Sequence, residues 1–392
     1  MNDAVAVVLG MGPTALSIVR GLGRRGVKVY GIGLSRWEVA LRSRYCTPLG
    51  AIDPRHEPER LCRRLIEFAE EHPDTTKVLY ASGDECVAFI GEHHVELARH
   101  YSFSKLGPDT VELFLNKERF YRACVEHGVP APFTLVPTSP DDLTAFIASG
   151  CFPCILKPKY YHKWAPKHGL TKVIYCQRAT DLLAQGDSLG SRIADFVVQE
   201  VIPGPEEEIY VFAAYFDRSG QPHGAFVGQK IRQYPVGFGT TTAMRAASVP
   251  QIEEQSVGFL QKLGYQGLCD VEYKYDRRTN AFRIIEINPR IGRWYGIVEA
   301  SGHDTVYCSF LDLSGVSLPP LPTSKTRPMT WVFASRDFLS LAASKRFALV
   351  EVLRSYGGPV TWCIWARDDV KPFFAYIGEM ATKGLGALRK YV

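Results

Sequence analysis

The chain alternates short apolar runs with amphipathic stretches. Its opening, AVAVVLGMGPTALSIVRGLGRRGVKVYGIG, reads as strand, glycine turn, helix and strand. A continuous Val-rich run has no polar face, as expected of a parallel strand covered on both sides. Ala15 to Leu22 place apolar side chains at helical spacing, and KVYGIG returns as the next strand. KVLYASGDE, Lys77 to Glu85, adds a strand that ends in a polar loop. The pattern predicts one α/β domain over residues 1 to about 110.

From Asp109 to Gly128 the apolar positions again recur at helical spacing and close on a glycine. VPAPFTLVP is a proline-punctuated connector, PDDLTAFIASG a short helix, and FPCILKPKYYHKW a strand running into a basic loop. FVVQEVIPGPEEEIYVFAAYFD supplies two strands around a Pro-Gly-Pro turn, and GAFVGQKIRQYPVGFGTTT a strand followed by a glycine and threonine loop. After the helix IEEQSVGFLQKLGY, LCDVEYKYD and AFRIIEINPR form a hairpin. The last seventy or so residues are expected to be a separate appendage, with SKRFALVEVLRSYG as an amphipathic helix.

A chain of 392 residues has room for two or three domains with proper cores. An apolar fraction of 46% beside 22% charged residues is that of a globular protein. The net charge of +5 suits anionic small molecules and is too weak and dispersed to point to nucleic acid. Ten cysteines scattered without short repeated spacing predict free thiols in a reducing compartment. Without a basic leader or a bilayer-length apolar run, the expectation is a soluble, cytoplasmic protein. The basic, aromatic end KPFFAYIGEMATKGLGALRKYV could lie on an anionic membrane, but packing on its own protein or on a second subunit is the favoured expectation.

The chemistry concentrates in the hairpin. Strand period puts Glu286 and Asn288 on one face, and Asp270, Glu272 and Lys274 on one face of the partner strand. A turn around Arg277 to Ala281 sets Glu272 opposite Glu286, so carboxylates and an amide oxygen converge without an evident paired base. Such oxygen donors suit Mg2+ or Mn2+. A solvated polar stripe is the bland alternative, and Ile284, Ile285 and Ile287 argue against it. Cations suited to a polyphosphate lie nearby in sequence: Lys157 ends the apolar strand CILKP, and Arg290 follows Asn288. Lys230 and Arg232 alternate and so should share a face, and Lys117 sits in the helical stretch before them.

Other signals carry less. The turn from Gly10 to Ala15 approaches a dinucleotide fingerprint, but Pro13 lies inside it and no acidic residue ends the second strand. A tight turn in a doubly wound sheet accounts for it. Cys151 and Cys154 form a C-x-x-C with no second pair at zinc-like spacing, so they read as ordinary cysteines. His93 and His94 read as solvated. Ser82 to Glu85 end a strand on the carboxyl edge, where α/β sheets bind ligands, and are candidates to touch substrate.

The order of parts (α/β domain, NKERFY, ILKP, QEVIPGPEEE, GQKIRQYPVGFG, VEYKYD, IEINPR) resembles the ATP-grasp superfamily over roughly residues 1 to 310. The K-x-R-x-x-P strand and the INPR ending are most similar to carboxylate–amine ligases of the D-aspartate ligase type. The resemblance implies an α/β and α+β architecture with a Rossmann-like pre-ATP-grasp domain at 1–110. The ATP-grasp domain would span 111–315, with a small lid at about 130–200 and a large subdomain at about 203–315, and 316–392 would be an accessory segment. It further implies that Lys117 and Lys157 contact ATP phosphates, that Gln199, Glu200, Val201 and Ile202 form the adenine strand, and that Glu208 takes the ribose hydroxyls. Lys230 and Arg232 would donate to phosphates or to an acyl phosphate. Glu272, Glu286 and Asn288 would hold Mg2+ or Mn2+, with Arg290 as the transition-state cation. The segment KYYHKWAPKHGL, 159–170, departs from the family's glycine-rich flap: either side-chain cations replace backbone amides there, or the flap lies elsewhere in the chain, with the glycines of PVGFGTTT as the alternative near the acceptor. The implied reaction joins a carboxylate to an amino-acid-like amine at the expense of ATP. A bicarbonate-activating carboxylase and a non-catalytic nucleotide-binding regulator are the rivals.

Overall fold

The computed structural model describes residues 3–160, 173–318, 326–344 and 349–388. Strands β1 (Ala4–Leu9), β2 (Lys28–Gly33), β3 (Cys46–Ala51) and β4 (Thr76–Ala81) form a parallel sheet in the order β3-β2-β1-β4. The central β1 is buried from Val5 to Leu9, which explains its unbroken apolar run. Gly10 follows at φ 75°, and a Cβ there would lie 2.9 Å from Ser82 Oγ, so backbone conformation and packing account for this glycine.

Strands β5 (Thr134–Leu135), β6 (Cys154–Pro158), β7 (Ile174–Cys176) and β8 (Phe196–Glu200) make a small antiparallel sheet ordered β5-β8-β6-β7. The large sheet contains β9 (Ile209–Phe216), β10 (Pro222–Tyr234), β11 (Thr240–Ala247), β12 (Gly267–Asp276), β13 (Ala281–Asn288), β14 (Thr330–Val332) and β15 (Val360–Trp362). Its order is β13-β12-β9-β10-β11-β14-β15, antiparallel up to the parallel β14–β15 pair. No helix among the described residues is long and apolar enough to cross a membrane.

The residues after about 316 are not the separate appendage expected. Strand β14 pairs with β11 and β15 with β14, so the segment widens the large sheet. It also grips the parallel-sheet domain through Asp369, which is buried. That carboxylate accepts from Arg20 Nε at 2.9 Å, Ser43 Oγ at 2.7 Å and the Arg44 amide at 2.9 Å.

Arg232, on β10, is tied to this same segment and is not the phosphate donor expected, since its guanidinium is taken by Asp337. Between Lys230 and Arg232 the β10–β11 register shifts, Lys230 facing Met244 and Arg232 facing Ala243, which breaks the expected two-residue alternation. Lys230 turns to Glu272, while the Arg232 guanidinium forks onto buried Asp337 at 2.9 and 2.8 Å and lies over Tyr356. Removing one partner strands a buried charge, so Asp337→Ala is expected to cost about 3–5 kcal/mol. Pairing Arg232→Met with Asp337→Leu removes both charges and should cost much less. Urea unfolding compares the two, and equal losses would mean that the pair is not the strut described.

Candidate functional site

A cleft of about 830 Å³ runs between the small sheet, the large sheet and the carboxyl edge of the parallel sheet. Lys157 reaches it from β6. Its Nζ donates to Gln199 Oε1 at 2.8 Å, and Gln199 Nε2 donates to Thr134 Oγ1 at 2.9 Å. The buried amide is thus satisfied at both ends and fixes the ammonium at the cleft wall. Lys117 arrives from the first turn of the helix Lys117–Glu126, which Asn116 caps by accepting the Glu118 amide at 3.0 Å. The Lys117 amide donates to the Lys159 carbonyl at 3.0 Å, and its Nζ to Glu286 Oε1 at 3.1 Å.

The opposite wall is the β12–β13 hairpin. Glu272 faces Glu286 and Asp270 faces Asn288 in the ladder. The two glutamates have paired bases, contrary to expectation. Lys230, almost wholly buried, donates to Glu272 Oε1 at 2.8 Å, and Lys117 holds Glu286. Arg290 follows at the strand end, with Nε and Nη2 each 2.6 Å from Asp84 Oδ1 and Nη2 3.3 Å from Asn288 Oδ1. Asp84 opens the helix Asp84–Glu92 just after β4, so the polar loop flagged in the sequence does meet the hairpin. Burial opposes the Arg290 charge, but Asp84, Asp270 and Glu286 outweigh it and raise its pKa.

Asp270 has no cationic partner within ion-pair distance among the described residues and lies 3.4 Å from the Asn288 amide nitrogen. Burial first, then Glu272 and Glu286, push its carboxyl up to about 7 against the pull of Arg290 and Lys230. The hairpin end is therefore rich in negative charge and in hard oxygen donors, which fits Mg2+ or Mn2+ on Glu272, Glu286 and Asn288. The group of His, Cys, Asp and Glu whose ligand atoms already converge among the described residues lies elsewhere, at Cys62, His93 and Glu96. There the Cys62 thiol donates to Glu96 at 3.3 Å, and burial and Glu96 push it up to about 12. A protonated thiol is a poor ligand.

Gln199, Glu200, Val201 and Ile202 all line the cleft, beside apolar Ile155 and Ile209. The Val201 amide donates to the Pro153 carbonyl at 2.9 Å, and the Glu200 carboxylate is taken by the Phe133 amide and Arg278, each at 2.9 Å. An adenine edge would meet the remaining backbone groups of this segment. Glu208 does not line the cleft. Lys274, 3.6 Å away, and Arg277 hold its carboxylate, while Glu206 is the lining member of the trio. Successive residues of a tight turn point in different directions, so the choice among three glutamates was not readable from sequence. The expected flap at 159–170 falls mostly outside the described residues. Glu38 was missed altogether. It lines the cleft and accepts the Met11 and Leu34 amides at 2.6 and 2.8 Å, contacts that no local pattern announces.

Residues 235–318 match the family described as carbamoyl-phosphate synthase L chain, ATP binding domain. D-aspartate ligase of Enterococcus faecium is 25% identical over 250 residues, 61% of this chain and 59% of that protein. The chain thus matches well under two thirds of that relative's length. The biotin carboxylase domain of Hydrogenobacter thermophilus 2-oxoglutarate carboxylase, solved with MgADP, ADP and bicarbonate, superposes with a TM-score of 0.63 at 15% identity, covering 81% of this chain and 71% of that one. An L-amino acid ligase from Bacillus licheniformis gives 0.61 at 16% identity, covering 80% and 75%. From its sheet arrangement, its cleft and these likenesses, the chain has the ATP-grasp fold, and its sequence resembles the carboxylate–amine ligases of the D-aspartate ligase type.

Proposed function

We propose that this protein is an ATP-dependent carboxylate–amine ligase that activates its acid substrate as an acyl phosphate. The observation that carries the proposal is the meeting in one cleft of Lys157, the Lys117–Glu286 and Arg290–Asp84 pairs, and Glu272, which Lys230 holds from behind without itself lining the cleft. Phosphoryl transfer is mostly positioning and charge neutralisation, which is what such a set supplies. Lys117 and Lys157 hold the ATP phosphates, and residues 199–202 hold the adenine. Arg290 orients the substrate carboxylate from the far side of the hairpin. Mg2+ on Glu272, Glu286 and Asn288 would neutralise phosphate charge when bound. A carboxylate oxygen attacks the γ-phosphorus, the bond to the β–γ bridging oxygen breaks, and ADP departs. The amine then attacks the acyl carbon and loses a proton, and phosphate leaves with the former carboxylate oxygen. The similarity to D-aspartate ligase supports an amino-acid-like substrate.

An ADP-release screen over amino acids, with and without candidate carboxylates, tests this. Heavy oxygen placed in the carboxylate should appear in the released phosphate, and hydroxylamine should trap a hydroxamate when the amine is omitted. AMP and pyrophosphate as products would overturn the acyl-phosphate route. Turnover that requires bicarbonate and no amine would select a carboxylase, and nucleotide binding without turnover on any pair would select a regulator.

A further inference from the structure

The helix Lys371–Leu388 packs on its own protein with only one of its sides. Phe373 and Tyr376 rest on the apolar core that joins the parallel sheet to the large sheet. The Tyr376 hydroxyl also meets Ser335 Oγ at 2.6 Å, and its ring lies 5.7 Å from that of Phe333. The other side is apolar too, and it faces solvent. Phe374 is 65% exposed and Ile377 50%, and Met380 is exposed as well. A spacing of three residues keeps these side chains on one flank of the helix. Exposed Trp365 extends the patch, because its ring meets Phe373 at 5.2 Å and Phe373 meets Phe374 at 5.6 Å. A run of exposed apolar side chains with a polar rim marks an interaction site.

The rim is basic. Lys371 opens the helix and Arg367 follows Trp365 by two residues, and both are exposed. The short helical turn Val39–Arg42 packs against this helix and brings exposed Arg42 to it. Arg44, also exposed, reaches the Asp368 carbonyl at 3.4 Å. The loop entering that turn exposes Trp37, with the Arg36 guanidinium 4.7 Å from the centre of its ring. None of these five cations forms an ion pair among the described residues. The carboxylates next to them in the chain are engaged. Glu38 accepts the Met11 and Leu34 amides, Asp368 is held by Arg24 and Tyr45, and Asp369 by Arg20. Glu379, the one carboxylate of the helix, is half-buried and lies away from Phe374 by helical spacing.

Charge decides what can cover this surface. A second copy docked about a two-fold axis would set arginines against arginines, with no free carboxylate there to receive them. An anionic bilayer satisfies both components. Tryptophan and phenylalanine seat at the level of the headgroups, and arginine and lysine meet the lipid phosphates. We propose that the exposed side of the helix Lys371–Leu388, with the neighbouring 36–44 loop, is a docking surface for an anionic membrane. The contact is peripheral, the helix lying in the plane of the surface with Phe374 and Ile377 toward the lipid. The proposal is independent of the reaction carried out in the cleft.

Co-sedimentation of the full chain with vesicles tests it, one set of phosphatidylcholine alone and one containing about a third phosphatidylglycerol. The parent should bind the anionic set about tenfold more tightly or better, and added salt should erase the difference. Tryptophan emission should shift to the blue on the anionic vesicles alone. Phe374→Ser should weaken binding about ten- to a hundredfold, since the ring no longer leaves water. Arg42→Gln and Lys371→Gln should each weaken it about fivefold. All three side chains are exposed, so the thermal unfolding midpoint should stay where it is. Equal binding to both vesicle sets, or parent-like binding by all three variants, would overturn the proposal. No binding to the anionic set would overturn it as well. A dimer that Phe374→Ser splits would then give the surface to a second copy, and a monomer would leave it to an acidic protein.

Discussion

Glu286→Gln is expected to lower turnover on the order of a thousandfold while leaving the fold intact. The side chain is 28% exposed and accepts from Lys117 Nζ at 3.1 Å. Glutamine keeps the shape and an amide oxygen for that lysine, so stability should change by less than about 1 kcal/mol. What it removes is charge. Glu286 faces Glu272 across the ladder, next to Asn288 and Arg290, where hard oxygen donors would hold a divalent ion against phosphate. The variant should therefore also lose the dependence of nucleotide affinity on Mg2+, a readout independent of turnover. Parent-like turnover with an unchanged magnesium titration would remove Glu286 from the metal site.

What could be seen of this site in the sequence divides along the distance over which each contact acts. The β12–β13 pairing is local, and strand period plus a short turn suffice to set Glu272 opposite Glu286. The Val-rich β1 and the helix after it were legible for the same reason, because each carries its own periodicity. The bases that pair with the glutamates were not. Lys230 and Lys117 lie 42 and 169 residues from their partners, and nothing in the local pattern joins them. The error at Arg232 has a related cause: a bulge is a property of how β10 pairs with β11, so alternation along β10 alone points the side chain to the wrong face. Strands β14 and β15 are three residues each, too short to stand out, and only the sheet they complete defines them.

Arg290→Lys is expected to keep nucleotide affinity within about twofold and to lower the rate of the chemical step about a hundred- to a thousandfold. All three nitrogens of this one side chain are engaged. Nε and Nη2 hold Asp84, Nη2 also reaches Asn288 Oδ1 at 3.3 Å, and Nη1 donates to the Ile291 carbonyl at 3.1 Å. The guanidinium thereby ties the hairpin end to the carboxyl edge of the parallel sheet, and its orientation is fixed before substrate binds. A lysine ammonium retains the charge but is a single point that cannot span Asp84 and Asn288 together. The nucleotide phosphates and base are proposed to rest on Lys117, Lys157 and residues 199–202, none of which bonds to Arg290, so binding should survive the change. Single-turnover measurements at saturating ATP separate the two effects. An equal loss in nucleotide affinity and in rate would place Arg290 among the phosphate ligands and leave the orientation of the reacting carboxylate to another group.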